Sequence, residues 1–311
     1  MGNVSLLHYR PWRGRFHGSA HSVWPIARTS LRTMFRRKLF WALYGLGLLF
    51  FLMFFFGQYL LAWTESQAAG ETINIFAGVK VKPEDIISPL RKGLRLDGSP
   101  QNYRNFFRYQ ASMIVIILAL AGSLLVGNDF QFGSIPFYLS KPLGPWHYLL
   151  GKCLAVAVLV NLVTTLPALV LYAQYGLLTS WQYFIEHGRL LLGILAYGAV
   201  LTVCLSLVLV ATAGLLRRTV PMIMAWTTLF VFLRFLAAAL VDGLHHSARW
   251  RLMDLWNDTS LVGNYCLGVP AAEVRPFAQP PVAEAAMVVG AVCLVCLTYL
   301  SLRIRAVEIV R

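Results

Sequence analysis

Between residues 39 and 62 the chain contains no Asp, Glu, Lys, Arg or His. At about 1.5 Å of rise per residue, a helix of that length crosses the roughly 30 Å hydrocarbon core of a bilayer. Five further apolar runs lie near 109–127, 149–172, 189–213, 219–241 and 284–302. Lipid offers no partner to a backbone N–H or C=O, so runs of this length and spacing are read as helices. The expected fold is an all-α membrane domain of six transmembrane helices. Composition agrees, because 58% hydrophobic and 13% charged residues over 311 positions is too apolar for a soluble domain of ordinary makeup.

A net charge of +14 would suggest a nucleic-acid partner in a soluble chain. Here the placement of the cations says more than their sum, and no nucleic acid is expected. Arg10, Arg13, Arg15, Arg28, Arg32, Arg36, Arg37 and Lys38 all precede the first run, which puts the N-terminus in the cytoplasm by the positive-inside rule. When six spans alternate, Lys141, Lys152, Arg217, Arg218, Arg303, Arg305 and Arg311 fall on that same side, so the C-terminus is expected there too. Most acids, among them Glu65, Glu71, Asp97, Asp242, Asp254, Asp258 and Glu273, fall in the opposing loops. The first of those loops also carries Lys80, Lys82, Arg91, Lys92, Arg95 and Arg104, but long loops weigh less in this rule. The expected location is the cell membrane.

Five cysteines, four of them in or against the spans, suggest no disulfide framework. Cys293 and Cys296 share a helix face without a nearby His or carboxylate, and His245 and His246 are adjacent and would diverge on a helix, so no metal site is expected.

Residues 1–21 lack helical or strand periodicity and read as a flexible cytoplasmic tail. From 22 to 38 the pattern changes. Trp24, Ala27, Leu31, Met34 and Phe35 recur at helical spacing, with Arg28, Ser30, Arg32, Arg36 and Arg37 on the other face. This is expected to be an interfacial helix, with Trp24, Leu31 and Phe35 among acyl chains and Arg36 and Arg37 on lipid phosphates. A plain cationic flank that only fixes topology is the alternative.

Two outer loops, 63–108 and 242–283, are too long for bare connections. Ile86, Ile87, Leu90 and Leu94 in the first suggest a short surface helix. Leu252, Leu255, Trp256, Leu261 and Tyr265 in the second suggest amphipathic turns that dip into the bilayer. Within the spans Arg234 stands out, either as a functional cation on a pathway or as a side chain snorkelling to the interface. Asn161, Thr164, Thr165 and Pro167 make a polar, kink-prone patch, read either as cavity lining or as packing between helices.

The segment GNDFQFGSIPFYLSKPLGPWHYLLGK, Gly127 to Lys152, separates the second and third runs. It is not a phosphate-binding loop, because Gly144 and Gly151 are too far apart and Cys153 stands where a hydroxyl is needed. Ser134 can cap a helix with Pro136 in its first turn, and Pro142 ends that helix after about two turns. A short transverse helix rich in Phe and Tyr results.

In this loop the chain resembles the ABC-2-type transporter permeases. Their first cytoplasmic loop has an acid, a Gly-Ser or Gly-Thr pair, Leu-Ser-[Arg/Lys]-Pro and a Leu-Leu-Gly-Lys-like end. Asp129, Gly133, Ser134, Leu139, Ser140, Lys141, Pro142, Leu149, Leu150, Gly151 and Lys152 take those positions in order. The resemblance implies a coupling loop over 128–148, with Asp129, Phe132, Gly133, Ser134, Phe137, Tyr138, Ser140, Lys141 and Pro142 facing a separate ABC ATPase subunit. Asp129 and Lys141 are expected in exposed ion pairs. The resemblance further implies no cofactor in this chain, ATP and Mg on the partner, and a second permease copy completing the pathway, with Arg234, Asn161 and Thr164 as pathway candidates and lipids around it. An intramembrane enzyme, or a membrane scaffold or sensor that transports nothing, remains the alternative. One arginine does not choose among lipid, glycan, drug, peptide and ion cargo.

Overall fold

A computed structural model describes residues 23–67, 73–75, 79–81, 95–122, 125, 127, 129, 145–216, 218–269 and 278–303. The N-terminal tail, the expected surface helix at 86–94, most of the coupling loop, Arg217, and Arg305 and Arg311 lie outside the described residues.

The described chain is almost entirely helical. In order come α1 Val23–Phe35, α2 Lys38–Gln67, α3 Pro100–Gly122, α4 Pro145–Val163, α5 Thr165–Thr179, α6 Gln182–Glu186, α7 Gly188–Leu216, α8 Thr219–Thr227, α9 Leu233–Ala238, α10 Leu255–Cys266 and α11 Val282–Arg303. One departure from the all-α expectation is a small antiparallel hairpin between α2 and α3. Its strands β1 Ile73–Ile75 and β2 Val79–Val81 pair Ile73 with Val81, and the alternating Ile-Asn-Ile and Val-Lys-Val triplets fit that pairing.

Among the described residues, five helical stretches are long and apolar enough to cross a membrane: Lys38–Trp63, Trp146–Thr179, Gly188–Leu216, Val220–Gly243 and Val282–Arg303. The run at 109–127 forms the second half of α3. Its first half, Pro100–Gln110, is polar and carries Arg104 and Arg108. Burial separates the centre from the rim. In its most apolar stretch α7 is 61% buried, whereas the corresponding stretches of α2 and α11 are only 17% buried. Leu49, Phe56, Leu294 and Val295 are among the large side chains that α2 and α11 leave exposed, an outward face suited to lipid or to another membrane helix.

The third run is longer than its sequence suggests and is broken at Thr164, which has φ −113° and ψ −70° between α4 and α5. Pro167 has no N–H to return to the Val163 carbonyl, which explains a break one turn upstream. The Thr164 hydroxyl donates back to the Val160 carbonyl at 2.7 Å. The fifth run is one helical path from Thr219 to Gly243, but two π-helical turns, Thr228–Phe232 and Ala239–Gly243, flank α9.

At one end of the bundle, Tyr183 of α6 donates to the Gly98 carbonyl at 2.7 Å, and its oxygen lies 3.4 Å from that of Tyr103 of α3. Gly98 has φ +64°, a conformation that suits glycine. After a 3₁₀ turn at Ala248–Met253, Asp254 caps α10 by accepting from the Asn257 N–H at 3.1 Å. The sequence suggested that these turns dip into the bilayer. In the structure α10 packs against the membrane-spanning α7 and α11 and is buried on nearly every side, at Leu255, Trp256, Asn257, Asp258, Thr259, Leu261, Gly263 and Asn264.

Candidate functional site

Of the loop between α3 and α4, the described residues retain its two ends, and a buried cluster joins them. Pro145 opens α4, and the next turns place Tyr148 and Lys152 four residues apart on one face. Asp129 sits against that face. Lys152 Nζ stands 2.6 Å from Asp129 Oδ2, with the two side chains 5% and 18% exposed. The Tyr148 hydroxyl donates to the same carboxylate oxygen at 2.9 Å, and Lys152 Nζ lies 5.6 Å from the centre of the Tyr148 ring.

The ammonium has two further acceptors, the Leu125 carbonyl and Ser30 Oγ of α1, the latter at 3.0 Å. Three donors thus meet three acceptors, as a buried lysine requires. Asp129 was expected in an exposed ion pair. Its partner is instead the buried Lys152, because the turn geometry of α4 aims that side chain toward Asp129 and the Leu125 carbonyl.

The third member of the cluster is the N-terminal helix. Ile26, Ala27, Ser30, Leu31 and Met34 form its buried face, and that face packs on α4. A Cβ on Gly151 would come within 2.8 Å of Ile26 Cβ and 3.1 Å of the Val23 carbonyl oxygen, so the absence of a side chain at 151 lets the helices approach. The sequence assigned Leu31 to acyl chains and Ser30 to the polar face. Both are covered by protein, which corrects that assignment: the apolar stripe meets α4 before it can meet lipid. Trp24 remains 54% exposed, and Arg28, Arg32, Arg36 and Arg37 are exposed. Phe35 is half-buried against the rings of Phe40 and Trp41, at centroid distances of 5.2 and 6.1 Å. The Trp41 indole donates to the Phe35 carbonyl at 2.8 Å.

Phe132, Gly133, Ser134, Phe137, Tyr138, Ser140, Lys141 and Pro142 lie outside the described residues. The three pathway candidates are not gathered together. Asn161 donates through Nδ2 to the Ala157 carbonyl at 2.8 Å and to Thr202 Oγ1 of α7 at 2.9 Å, a bond between helices. Thr164 is fully buried. Arg234 is half-buried and lines a separate cleft with Ser112, Phe230 and Trp256. Among the described residues no group of three or more His, Cys, Asp or Glu side chains is placed to hold a metal.

Sequence reasoning missed the joining of Asp129, Tyr148, Lys152 and Ser30. An acid and a lysine at opposite ends of one loop are the signal that could have suggested it.

A family model described as ABC-2 family transporter protein matches residues 24–250. The match opens within α1 and takes in both ends of the loop and the spans around them. Among curated proteins, no match to the chain is found. With well over half of the chain covered, this multi-pass membrane protein belongs to the ABC-2 family of transporter permeases.

Proposed function

We propose that the chain is the membrane half of an ATP-driven exporter, working as a pair of copies on separate ATPase subunits that hold ATP and Mg. Six helices cross the cell membrane, with α3 supplying the second crossing through its apolar half and residue 125–127 end. Both termini and the 128–148 loop face the cytoplasm. The loop rests on the ATPase through Phe132, Phe137 and Tyr138, with Gly133, Ser134, Ser140, Lys141 and Pro142 shaping it.

The observation that carries this reading is the Lys152–Asp129 pair. It ties the segment after α3 to the first turns of α4, while Ser30 adds α1 to the same ammonium. A load applied to the intervening loop then reaches the ends of two membrane helices and the interfacial helix together. ATP would switch access to the central pathway by favouring one arrangement of these helices over the other.

The test is co-purification of the chain with the ATPase, together with ATP-dependent flux. Changing Phe137 and Tyr138 to alanine should release the ATPase or uncouple hydrolysis from transport, since buried aromatics at interface centres commonly contribute about 2 kcal/mol or more. Full association and full flux in that variant would remove the loop from the coupling role.

A further inference from the structure

Two clefts share Trp256 as a wall. The first is lined by Arg104, Arg108, Tyr197, Asn257, Ser260 and Asn264, among others. The second, more open to the surface, is lined by Ser112, Val115, Ile116, Val231 and Arg234, among others. Along α3 these residues make a single stripe, Arg104, Arg108, Ser112, Val115 and Ile116, at steps of four, four, three and one. Over about 18 Å that stripe passes from cationic through a hydroxyl to purely apolar.

The facing walls differ. Asn257, Ser260 and Asn264 recur along α10 at the first cleft, whereas Phe230 and Val231 of the π-helical turn line the second beside the cation of Arg234. Among the described residues, no carboxylate lines either cleft. Other arginines nearby are neutralised, Arg249 by Glu284 at 2.9 Å and Arg251 by Asp242. Among the described residues, Arg108 and Arg234 have no such partner. Asn264, which is 3% exposed, keeps a buried Oδ1 with no hydrogen-bond donor. Buried polar atoms are seldom left this way. Arg108 is exposed on the polar half of α3, whereas Arg234 is half-buried within the Val220–Gly243 span, where an unpaired cation marks a functional site by default.

We propose that the two clefts form one binding site for an anionic lipid. Its oxyanion head is held by Arg104 and Arg108, a protonated oxygen of that head donates to Asn264 Oδ1, and its apolar tail lies along Val115, Ile116 and Val231. Arg234 is a second, deeper station for the head. As cargo, such a lipid deepens the exporter reading and rests on it, but binding itself needs only this chain.

The experiment uses the purified full chain in neutral detergent, without an ATPase, and measures binding of three probes by native mass spectrometry. They are dioctanoyl phosphatidic acid, dioctanoyl phosphatidylcholine and glycerol 3-phosphate. The site predicts that phosphatidic acid binds at least about tenfold more tightly than either of the others, because only it offers both a bare anion and a tail. Changing Arg108 and Arg234 together to glutamine should erase that margin, whereas Arg249→Gln, which removes a paired cation outside both clefts, should keep it.

Ile116→Trp fills the groove beside Val115 and Val231 without altering any charge, and should weaken phosphatidic acid binding to the level of glycerol 3-phosphate while the melting temperature stays within a few degrees. Equal binding of the two lipids would overturn the anionic head. Equal binding of glycerol 3-phosphate and phosphatidic acid would overturn the tail. An equal loss in Arg249→Gln would reduce the effect to general surface charge and overturn the site. Failure of ATPase docking with this selectivity intact would count against the exporter reading alone.

Discussion

Lys152 Nζ and Asp129 Oδ2 stand 2.6 Å apart, joining the two ends of the loop between α3 and α4, with Ser30 of the N-terminal helix on the same ammonium. Both side chains are largely removed from solvent, so each depends on the other to offset its desolvation.

Removing one partner should therefore be costly. Lys152→Met or Asp129→Leu alone is expected to destabilise the chain by about 3–5 kcal/mol, while the double variant recovers much of the loss, because no buried charge is left unpaired. Thermal unfolding in detergent, arranged as a double-mutant cycle, measures this. Strictly additive losses would mean that the pair is not coupled.

Gly151→Val places methyl groups where Ile26 and the Val23 carbonyl already sit. It should lift α1 from α4 and raise hydrogen exchange over residues 23–35, while the membrane helices keep their protection. Combining it with Ile26→Ala should restore part of the protection. No change in α1 exchange would contradict the close helix crossing.

Asp258 is fully buried on α10, and neither carboxylate oxygen has a hydrogen-bond partner among the described residues. Burial, reinforced by the Asp254 carboxylate, pushes its pKa up to about 8. The folded chain keeps this proton over a range in which the unfolded chain, with a carboxyl near about 4, has lost it. Stability should thus fall as pH rises from about 4 to about 8. Melting temperatures of the wild type should follow that slope, and Asp258→Asn should flatten it. An unchanged slope in the variant would assign the pH dependence to other groups.

The membrane helices were legible in the sequence because lipid leaves few solutions for a long apolar run. Contacts between helices were less so. Ser30 reads as polar by type and position, yet it faces a lysine brought in by α4, and nothing within α1 announces that. The break at Thr164 was readable from Pro167, since a missing N–H acts locally. The enclosure of the polar helix α10 was not legible, because its Leu and Trp suggested a lipid-facing side, while Asn257, Asp258 and Asn264 gave no sign of how fully α7 and α11 would surround them. Arg104 counted only as a loop charge, and Arg108 was not singled out, until α3 aligned them with Ser112 and Ile116.

The central claim is that the Lys152–Asp129 junction carries the ATPase's motion into the membrane helices. Its most direct test is the ATP-dependent labelling rate of a single cysteine at Ser112, in a cysteine-free chain assembled with its ATPase, with and without Lys152→Met and Asp129→Leu together. The account predicts that ATP changes the rate in the parent and that the change disappears in the double variant, although that variant still folds, binds the ATPase and supports hydrolysis. A full ATP-driven change in labelling without the junction would contradict it.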